Sequence, residues 1–560
     1  MRNESGKKIF AGAYALAFLA LLAFLLWKCR YGYANIDEAF YLTIPYRLCR
    51  GDSLLLHEWH LSQLSGFLLY PAVKLYLLLF GNTEGILLRF RILFTLVWAA
   101  GALFFFERLR KFSFVGAALA SLVFLLYTPF GIMALSYNSM GILLLLSACV
   151  LAATANTQRN AAWLLSGLFF AGAVLCCPYL LVLYVLGTLT ALVLALRKKR
   201  GALRCWLLFS AGSAILLLVF CASLLSRASP SRLLEVLPEL FKDPEHMHAS
   251  LLERTRWYLT YLFRCHRVAP FCYAAALLAT VYSKLRGKPC LGLIAVCLIS
   301  ALLQLAFLKE TPYINYTMFP INLVGLYCAI LSKKSSVRIP FYAIWLPGLV
   351  YTYCIYLSSN QTFYAISSVS TVMAVASVVM LVSFVRDLNR AELNTQFYRA
   401  AQLAVVLLMA VQFYAQTTMR YSSVFWERGG MAAQTVQAES GPERGILMTP
   451  AKYERYSGLE KDVEVLRDRE DIRSVLFLST NTYLYLSAEK DMSTFSAWLS
   501  GVNEVSLERL ETYFDLVPEK VPDGIYLEPE YAQYAEPFLS RGYRKEVLES
   551  GAYLLTKAAP

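Results

Sequence analysis

The chain alternates long apolar runs with short polar ones. A bilayer-spanning helix needs about 20 apolar residues. Residues 9–27 meet that length directly after Lys7 and Lys8. Further runs of spanning character fall at 86–106, 112–130, 137–153, 161–177, 179–196, 203–225, 268–283, 290–308, 317–332, 339–357, 363–385 and 399–416. The pattern therefore predicts about thirteen spans. The run 161–196 is too long for one crossing and is divided at Cys177-Pro178. Residues 65–80 are apolar but carry Pro71 and Lys74, and are expected to lie along the interface rather than cross. A cleaved signal peptide is the competing reading of 9–27. The long apolar core, the lack of a small-x-small site before Lys28 and the many later spans favour a retained first span.

The polar segments give a direction. Lys/Arg clusters occupy alternate loops, at 108–111, 197–200, 284–288, 333–334 and 386–390. Turns 132–139 and 358–362 hold no Lys or Arg. The positive-inside rule then predicts a cytoplasmic N-terminus and an extracytoplasmic C-terminus. The 226–267 segment fits less well, being outside by count yet Arg-bearing. After 416 the chain turns charged. Residues 472–479, 524–528 and 551–557 read as strands, and 458–468 and 506–514 as helices. The expected architecture is a polytopic α-helical membrane domain over 1–416, with 28–85 as its first outer loop. A small soluble extracytoplasmic α/β domain follows over 417–560.

Composition agrees. The 560 residues are 58% hydrophobic and 16% charged, with mean hydropathy +0.51, which excludes an ordinary soluble domain. The net charge of +14 sits largely in inter-span loops, so it points to membrane orientation and not to nucleic acid. The 13 Cys all precede residue 355, mostly within apolar runs, and none has zinc-site spacing. Cys29, Cys49 and Cys265 fall in expected outer loops without forming a disulfide framework. No Gly-rich phosphate loop, Ser/His/Asp arrangement or D-x-D nucleotide-sugar motif stands out.

The first polar interruption, 28–64, gathers Asp37, Glu38, Asp52, His57, Glu58 and His60. Asp37 and Glu38 follow the first span closely and should sit at the membrane surface. One reading makes Asp37 the cap of the helix AFYLTIPYRLC, with Glu38 in its first turn. The other makes Asp37 a general base. His57, Glu58 and His60 could hold a divalent metal or simply hydrogen-bond an interface, and His246 and His248 raise the same choice. Arg254, Arg256 and Trp257 suit a flap from the long 226–267 loop. Tyr137 and Asn138 occupy a second outer turn, where Asn138 can hydrogen-bond a sugar or acceptor. Lys309, Tyr313 and Tyr316 form another such turn, and Arg89 and Arg91 open the second span. Each cation could equally snorkel at a helix end. Asn315-Tyr-Thr317 and Asn360-Gln-Thr362 are sequons too close to the membrane to carry weight.

The string DEAFY, then Arg47-x-x-x-Gly51-Asp52, HEWH, Pro71 and FGNTEGILLRFRIL (80–93) resembles the opening of the GT-C superfamily of membrane glycosyltransferases. Within it the likeness is to bacterial protein O-mannosyltransferases and lipid A aminoarabinose transferases. The first hundred residues carry the match; beyond them only the order of spans, loops and outer domain agrees. The resemblance implies inverting transfer from a polyprenyl-phosphate sugar to an extracytoplasmic lipid, glycan or protein, with membrane lipids as surroundings. Asp37 then matches the catalytic Asp, with Glu38 beside it and Asp52 as a further carboxylate nearby. Phosphate is already a good leaving group and needs cationic stabilisation more than protonation. Lys309, with Tyr313 and Tyr316, resembles a family turn suited to that phosphate; Arg89 and Arg91 are rivals. Tyr137, Asn138, His57, Glu58 and His60 would face sugar or acceptor. Asn138 departs from the acidic or His residue that relatives carry, leaving the second acid or metal position open. No cofactor is implied with certainty; a divalent metal is the one candidate. The competing function is a lipid or oligosaccharide transporter, which would place ionisable groups near the midplane of broken helices.

Overall fold

The structure is a computed structural model describing residues 2–33, 36–156, 158, 160–198, 200–242, 249–359, 362–388, 395–424, 429–499 and 501–557. Helix α1 (Arg2–Lys28) leads into the polar loop, which contains α2 (Asp37–Cys49) and α3 (Leu64–Phe80). There follow α4 (Ile86–Leu109), α5 (Phe114–Leu126), α6 (Tyr137–Thr154), α7 (Asn160–Cys176), α8 (Leu181–Leu196) and α9 (Arg200–Leu225). A second polar segment holds α10 (Pro230–Leu240) and α11 (Leu251–Phe263). The bundle closes with α12 (Ala269–Arg286), α13 (Pro289–Glu310), α14 (Ile321–Leu331), α15 (Ser335–Pro340), α16 (Leu346–Leu357), α17 (Phe363–Ser368), α18 (Thr371–Asp387) and α19 (Thr395–Ser422).

Among the described residues, nine helices are long and apolar enough to cross a membrane. That is fewer than thirteen because several expected spans are short or divided. Phe114–Leu126 and Asn160–Cys176 are shorter apolar helices. The 363–385 run breaks between α17 and α18. The 339–357 run still counts as a span, over Ser335–Leu357, although a π turn, Phe341–Trp345, lies within it between Pro340 and Pro347, where missing N–H donors loosen the ladder. Helix α3 does not cross. The Trp59 N–H just before it reaches the Phe495 carbonyl at 2.7 Å, and the Thr83 N–H just after it reaches Glu489 at 2.7 Å. Both of its ends thus lie against the C-terminal unit. Close helix contacts rest on small residues: a Cβ on Gly167 or Gly212 would clash with the backbone of α9 or α7.

Helix α19 continues to Ser422, past the expected boundary at 416. The C-terminal unit holds α20 (Pro450–Arg467), α21 (Leu484–Ala488), α22 (Glu504–Leu516) and α23 (Glu536–Leu539). Its strands are β1 (Val436–Gln437), β2 (Leu447–Met448), β3 (Ser474–Leu478), β4 (Asp491–Met492), β5 (Gly524–Leu527), β6 (Tyr543–Val547) and β7 (Tyr553–Lys557). A five-stranded sheet runs β4-β3-β5-β7-β6, parallel through its first three strands and antiparallel in the rest. Strands β3, β5 and β7 and helices α20 and α22 stand where the sequence predicts them. Strand β6 was not foreseen: as YRKEV it lies on the sheet edge with four of its five residues exposed, so it has no apolar run to read. One side of this unit shares the bundle's core through Tyr456, Tyr483 and Leu484. The other buries Leu56, Trp59, Val236 and Leu240 against Leu510 and Tyr513.

Candidate active site

Asp37 is the first residue of α2, whose N-cap, Ile36, makes no side-chain cap bond. The capping reading of Asp37 therefore gives way to a first-turn position, where the helix dipole favours a carboxylate. Residues 38–48 are buried, whereas Asp37 is half-buried. One helical turn on, Tyr41 packs edge-on against Tyr137 at 5.8 Å. Burial pushes the Tyr41 hydroxyl's pKa well up, and the neighbouring Tyr137, Asp37 and Glu38 add to it. Beyond lies an aromatic wall: Phe130 and Tyr313 meet Tyr364 at 4.9 and 5.2 Å, and Tyr316 meets Tyr313 at 5.6 Å. Buried Asn315 braces that wall, accepting from the Phe130 N–H at 2.7 Å and donating to the Tyr364 carbonyl at 3.1 Å. That bond set and its complete burial put the first sequon out of reach of a glycan; Asn360 of the second is outside the described residues.

Glu38 turns the other way. It accepts from Arg91 Nε at 2.5 Å and from the Met133 N–H at 3.2 Å. Arg91 gives three further donors to the carbonyls of Cys29, Tyr31 and Gly32, at 3.1, 3.2 and 2.8 Å. The pair is buried, with four of the five Arg91 N–H donors engaged by protein acceptors, so Glu38 faces inward onto Arg91 rather than outward beside Asp37. Arg89 is exposed, donates to the Tyr76 hydroxyl and the Glu84 carbonyl, and stacks on Phe80 at 4.1 Å. Lys309 is exposed in the last turn of α13, a turn away from Tyr313, which is 52% exposed.

The C-terminal unit fixes the backbone leading to Asp37. The Gly32 N–H donates to the Leu447 carbonyl at 2.8 Å, and the Leu447 N–H to the Arg30 carbonyl at 2.6 Å. Tyr33 sits between Tyr456 and Tyr483 at 5.9 and 6.0 Å. Thr482 donates to the Ile36 carbonyl at 2.6 Å.

A second, buried bracket joins the polar loop to the same unit. Arg47 bonds Asp52 at 2.8 Å, Glu58 at 2.7 Å and the Thr494 carbonyl at 3.0 Å. Lys520 also pairs with Asp52. Burial raises the Asp52 pKa, but Arg47, Lys520 and His57 outweigh it and hold that carboxyl below its ordinary range. His57 accepts from the Ser53 N–H at Nδ1, 2.8 Å, and its Nε2 lies 3.5 Å from Glu519. Burial lowers its pKa to about 4. Glu519 in turn binds Arg232 of α10 at 2.8 Å.

This arrangement corrects the role expected for His57 and Glu58. Both are inside the bracket, not at a sugar or acceptor surface. Asp52 belongs there too and does not share the place of Asp37. His60 is half-buried, its Nδ1 turned to Ser62 at 2.8 Å and its ring against Phe40 at 4.8 Å. The three side chains do not fit a metal site, since their polar atoms are turned to separate protein partners. Among the described residues no three His, Cys, Asp or Glu groups converge as metal ligands. His246 and His248 lie outside the described residues. All thirteen cysteines are free thiols.

Asn138 is buried in the first turn of α6, which is capped by Ser136 and Ser139 in a reciprocal box. Tyr137 beside it is half-buried on the Asp37 side. In the 226–267 segment, Arg254 docks α11 by donating to the Leu357 carbonyl at 2.6 Å, so that stretch is a packed helix rather than a loose flap. Tyr41, Phe130 and Tyr364 escaped the sequence reading. Their only signal was general aromatic richness, because what brings them together is the meeting of three distant turns.

No protein-family model matches the chain, and no curated protein matches it in sequence. Solved structures do resemble it. ArnT from Cupriavidus metallidurans in the apo state is 13% identical, with a TM-score of 0.52 over 97% of this chain and 98% of that one. The same protein bound to undecaprenyl phosphate is 12% identical, with a TM-score of 0.50 over 99% and 98%. The Archaeoglobus fulgidus oligosaccharyltransferase tethered to an acceptor peptide gives 12% and 0.47, over 97% of this chain and 74% of that one. With its multi-span bundle and appended C-terminal sheet, the chain shares the fold of these ArnT structures.

Proposed function

We propose that the protein is an inverting glycosyltransferase that moves a sugar from a polyprenyl-phosphate donor to an acceptor outside the cytoplasm. The observation that carries this is Asp37: a half-buried carboxylate at the head of an otherwise buried helix, beside a wall of tyrosines. The shared fold supports it, since one solved ArnT structure holds undecaprenyl phosphate.

In this reading Asp37 removes the proton from the acceptor hydroxyl as that oxygen attacks the anomeric carbon. The bond from that carbon to the phosphate oxygen breaks on the opposite face, and the electron pair leaves on the phosphate. Exposed Lys309 meets that charge as a point cation, with Tyr313 and Tyr316 beside it. Glu38 and Arg91 hold the loop so that the base stays in place.

Sidedness follows from charge. Lys111 bonds the Thr154 carbonyl, Arg386 the Phe112 carbonyl and Ser336 the Asp387 carboxylate, which brings the basic segments at 108–111, 333–334 and 386–388 to one end of the bundle. Asp37 and the C-terminal unit occupy the other. The positive-inside rule makes the basic end cytoplasmic.

The test is turnover. Purified protein in detergent should consume a polyprenyl-phosphate sugar in the presence of an extracted envelope acceptor, and Asp37→Asn should abolish this with its melting temperature unchanged. Transfer at the normal rate by that variant would refute the assignment.

A further inference from the structure

Helices α1 and α19 end side by side at the polar-loop end of the bundle, and their last turns bury two cations. Lys28 is 3% exposed; its Nζ donates to the carbonyls of Arg420 and Ser423, the latter at 2.7 Å. Arg420 is 2% exposed, and its buried Nε has no hydrogen-bond partner. Among the described residues neither cation has a carboxylate within ion-pairing distance. Glu38, an acid close to Cys29, is taken up by Arg91, whose guanidinium also holds the Cys29 carbonyl beside Lys28.

The charges can be counted. Two helix carboxyl ends supply roughly half a negative charge each, which offsets one of the two cations. About one positive charge is left, on a guanidinium with an unused donor in a buried place. Leaving a buried charge unpaired is costly. A vacant guanidinium donor facing no carboxylate is what an anion would complete. Helix α1 also presents exposed Ile9, Leu16, Leu19 and Trp27. A lipid tail lying along those residues would bring its headgroup to the turn that carries Lys28.

We propose that Lys28 and Arg420 form a second anion site, which takes the phosphate of a membrane lipid. That the lipid is a polyprenyl phosphate rests on the function proposed above; the anion site itself does not. It would hold the spent carrier, or an incoming one, beside the loop of Asp37.

The experiment uses the full chain in phosphate-free maltoside micelles and follows its melting temperature. Polyprenyl phosphate, the matching uncharged polyprenol and inorganic phosphate are titrated separately. Polyprenyl phosphate should raise the melting temperature and polyprenol should not. Arg420→Gln should weaken that effect on the order of 30-fold or more, while its own ligand-free melting temperature stays equal or rises. A purely structural arginine would instead lower it. Unchanged affinity in Arg420→Gln, or an equal shift from polyprenol, overturns the proposal. An equal shift from inorganic phosphate overturns the lipid source. Glu427 lies outside the described residues; should Glu427→Gln and Arg420→Gln destabilise the ligand-free chain equally, Glu427 is the counter-ion and the proposal is overturned. Should Arg420→Gln fail to fold, Lys28→Gln is titrated in its place and judged by the same affinity criterion. Asp37→Asn should keep the full shift, so loss of turnover and loss of this site remain separate results.

Discussion

Neighbouring acids, Asp37 and Glu38, have different fates because successive residues of a helix point about 100° apart. Glu38 faces Arg91 and the Met133 N–H, while Asp37 stays half-buried. The two should separate experimentally. Glu38→Gln leaves Arg91 buried without its counter-charge and should cost about 3–5 kcal/mol of stability, visible as a lowered melting temperature. Asp37→Asn should cost turnover alone. His57 gives a pH signature. Its folded pKa of about 4 lies below the ordinary histidine value of 6.5, so it is held neutral when folded. Above pH 6.5 it contributes no pH dependence. As pH falls from 6.5 toward 4 the unfolded chain takes up a proton that the folded chain refuses, and stability drops by about 3 kcal/mol. Burial explains the refusal, with the nearby Arg47 and Lys520 charges adding to it, and a proton at Nδ1 would also break the acceptor bond from Ser53. His57→Gln should flatten the pH–stability curve between those limits, as read by thermal melts in a pH series.

Among elements, helices were the most legible part of the sequence, since apolar length and loop charge are written along the chain. The expected runs are nearly all met by helices, and β3, β5 and β7 announced themselves as short apolar runs. The divided helices were not legible: whether a proline bends or ends a span depends on its neighbours. Nor was the Arg47 bracket. His57 and Glu58 looked like ligands, and Asp52 like a companion of Asp37, because sequence displays residue types without their partners; Arg47 is close by in the chain, but Lys520 and Thr494 come from far along it. The position of Asp37 in the first polar segment, at the head of a helix, was legible because it follows the first span and precedes an apolar helical run. The contact of α7 with α9 offers an element-scale test. Gly167→Val places a side chain where the Phe209 carbonyl lies. It should force the helices apart and lower the melting temperature, whereas Gly201→Val, in open space, should not.

The whole molecule has one polar end carrying Asp37 and the C-terminal unit, and one basic end. A single cysteine at position 541, in a variant with its own thiols replaced, should react with an impermeant maleimide from outside intact cells. One at position 110 should react only after the membrane is opened. Reversed labelling would invert the assigned orientation. The bond pair between Gly32 and Leu447 also has a consequence in time. Residues some four hundred positions apart share it, and contacts of such separation form late. During synthesis the stretch before Asp37 emerges first and has to wait for almost the entire remaining polypeptide to be made and inserted. A truncated or stalled product therefore lacks the strand that braces the stretch leading to Asp37, so that stretch takes its final form only in a nearly finished chain.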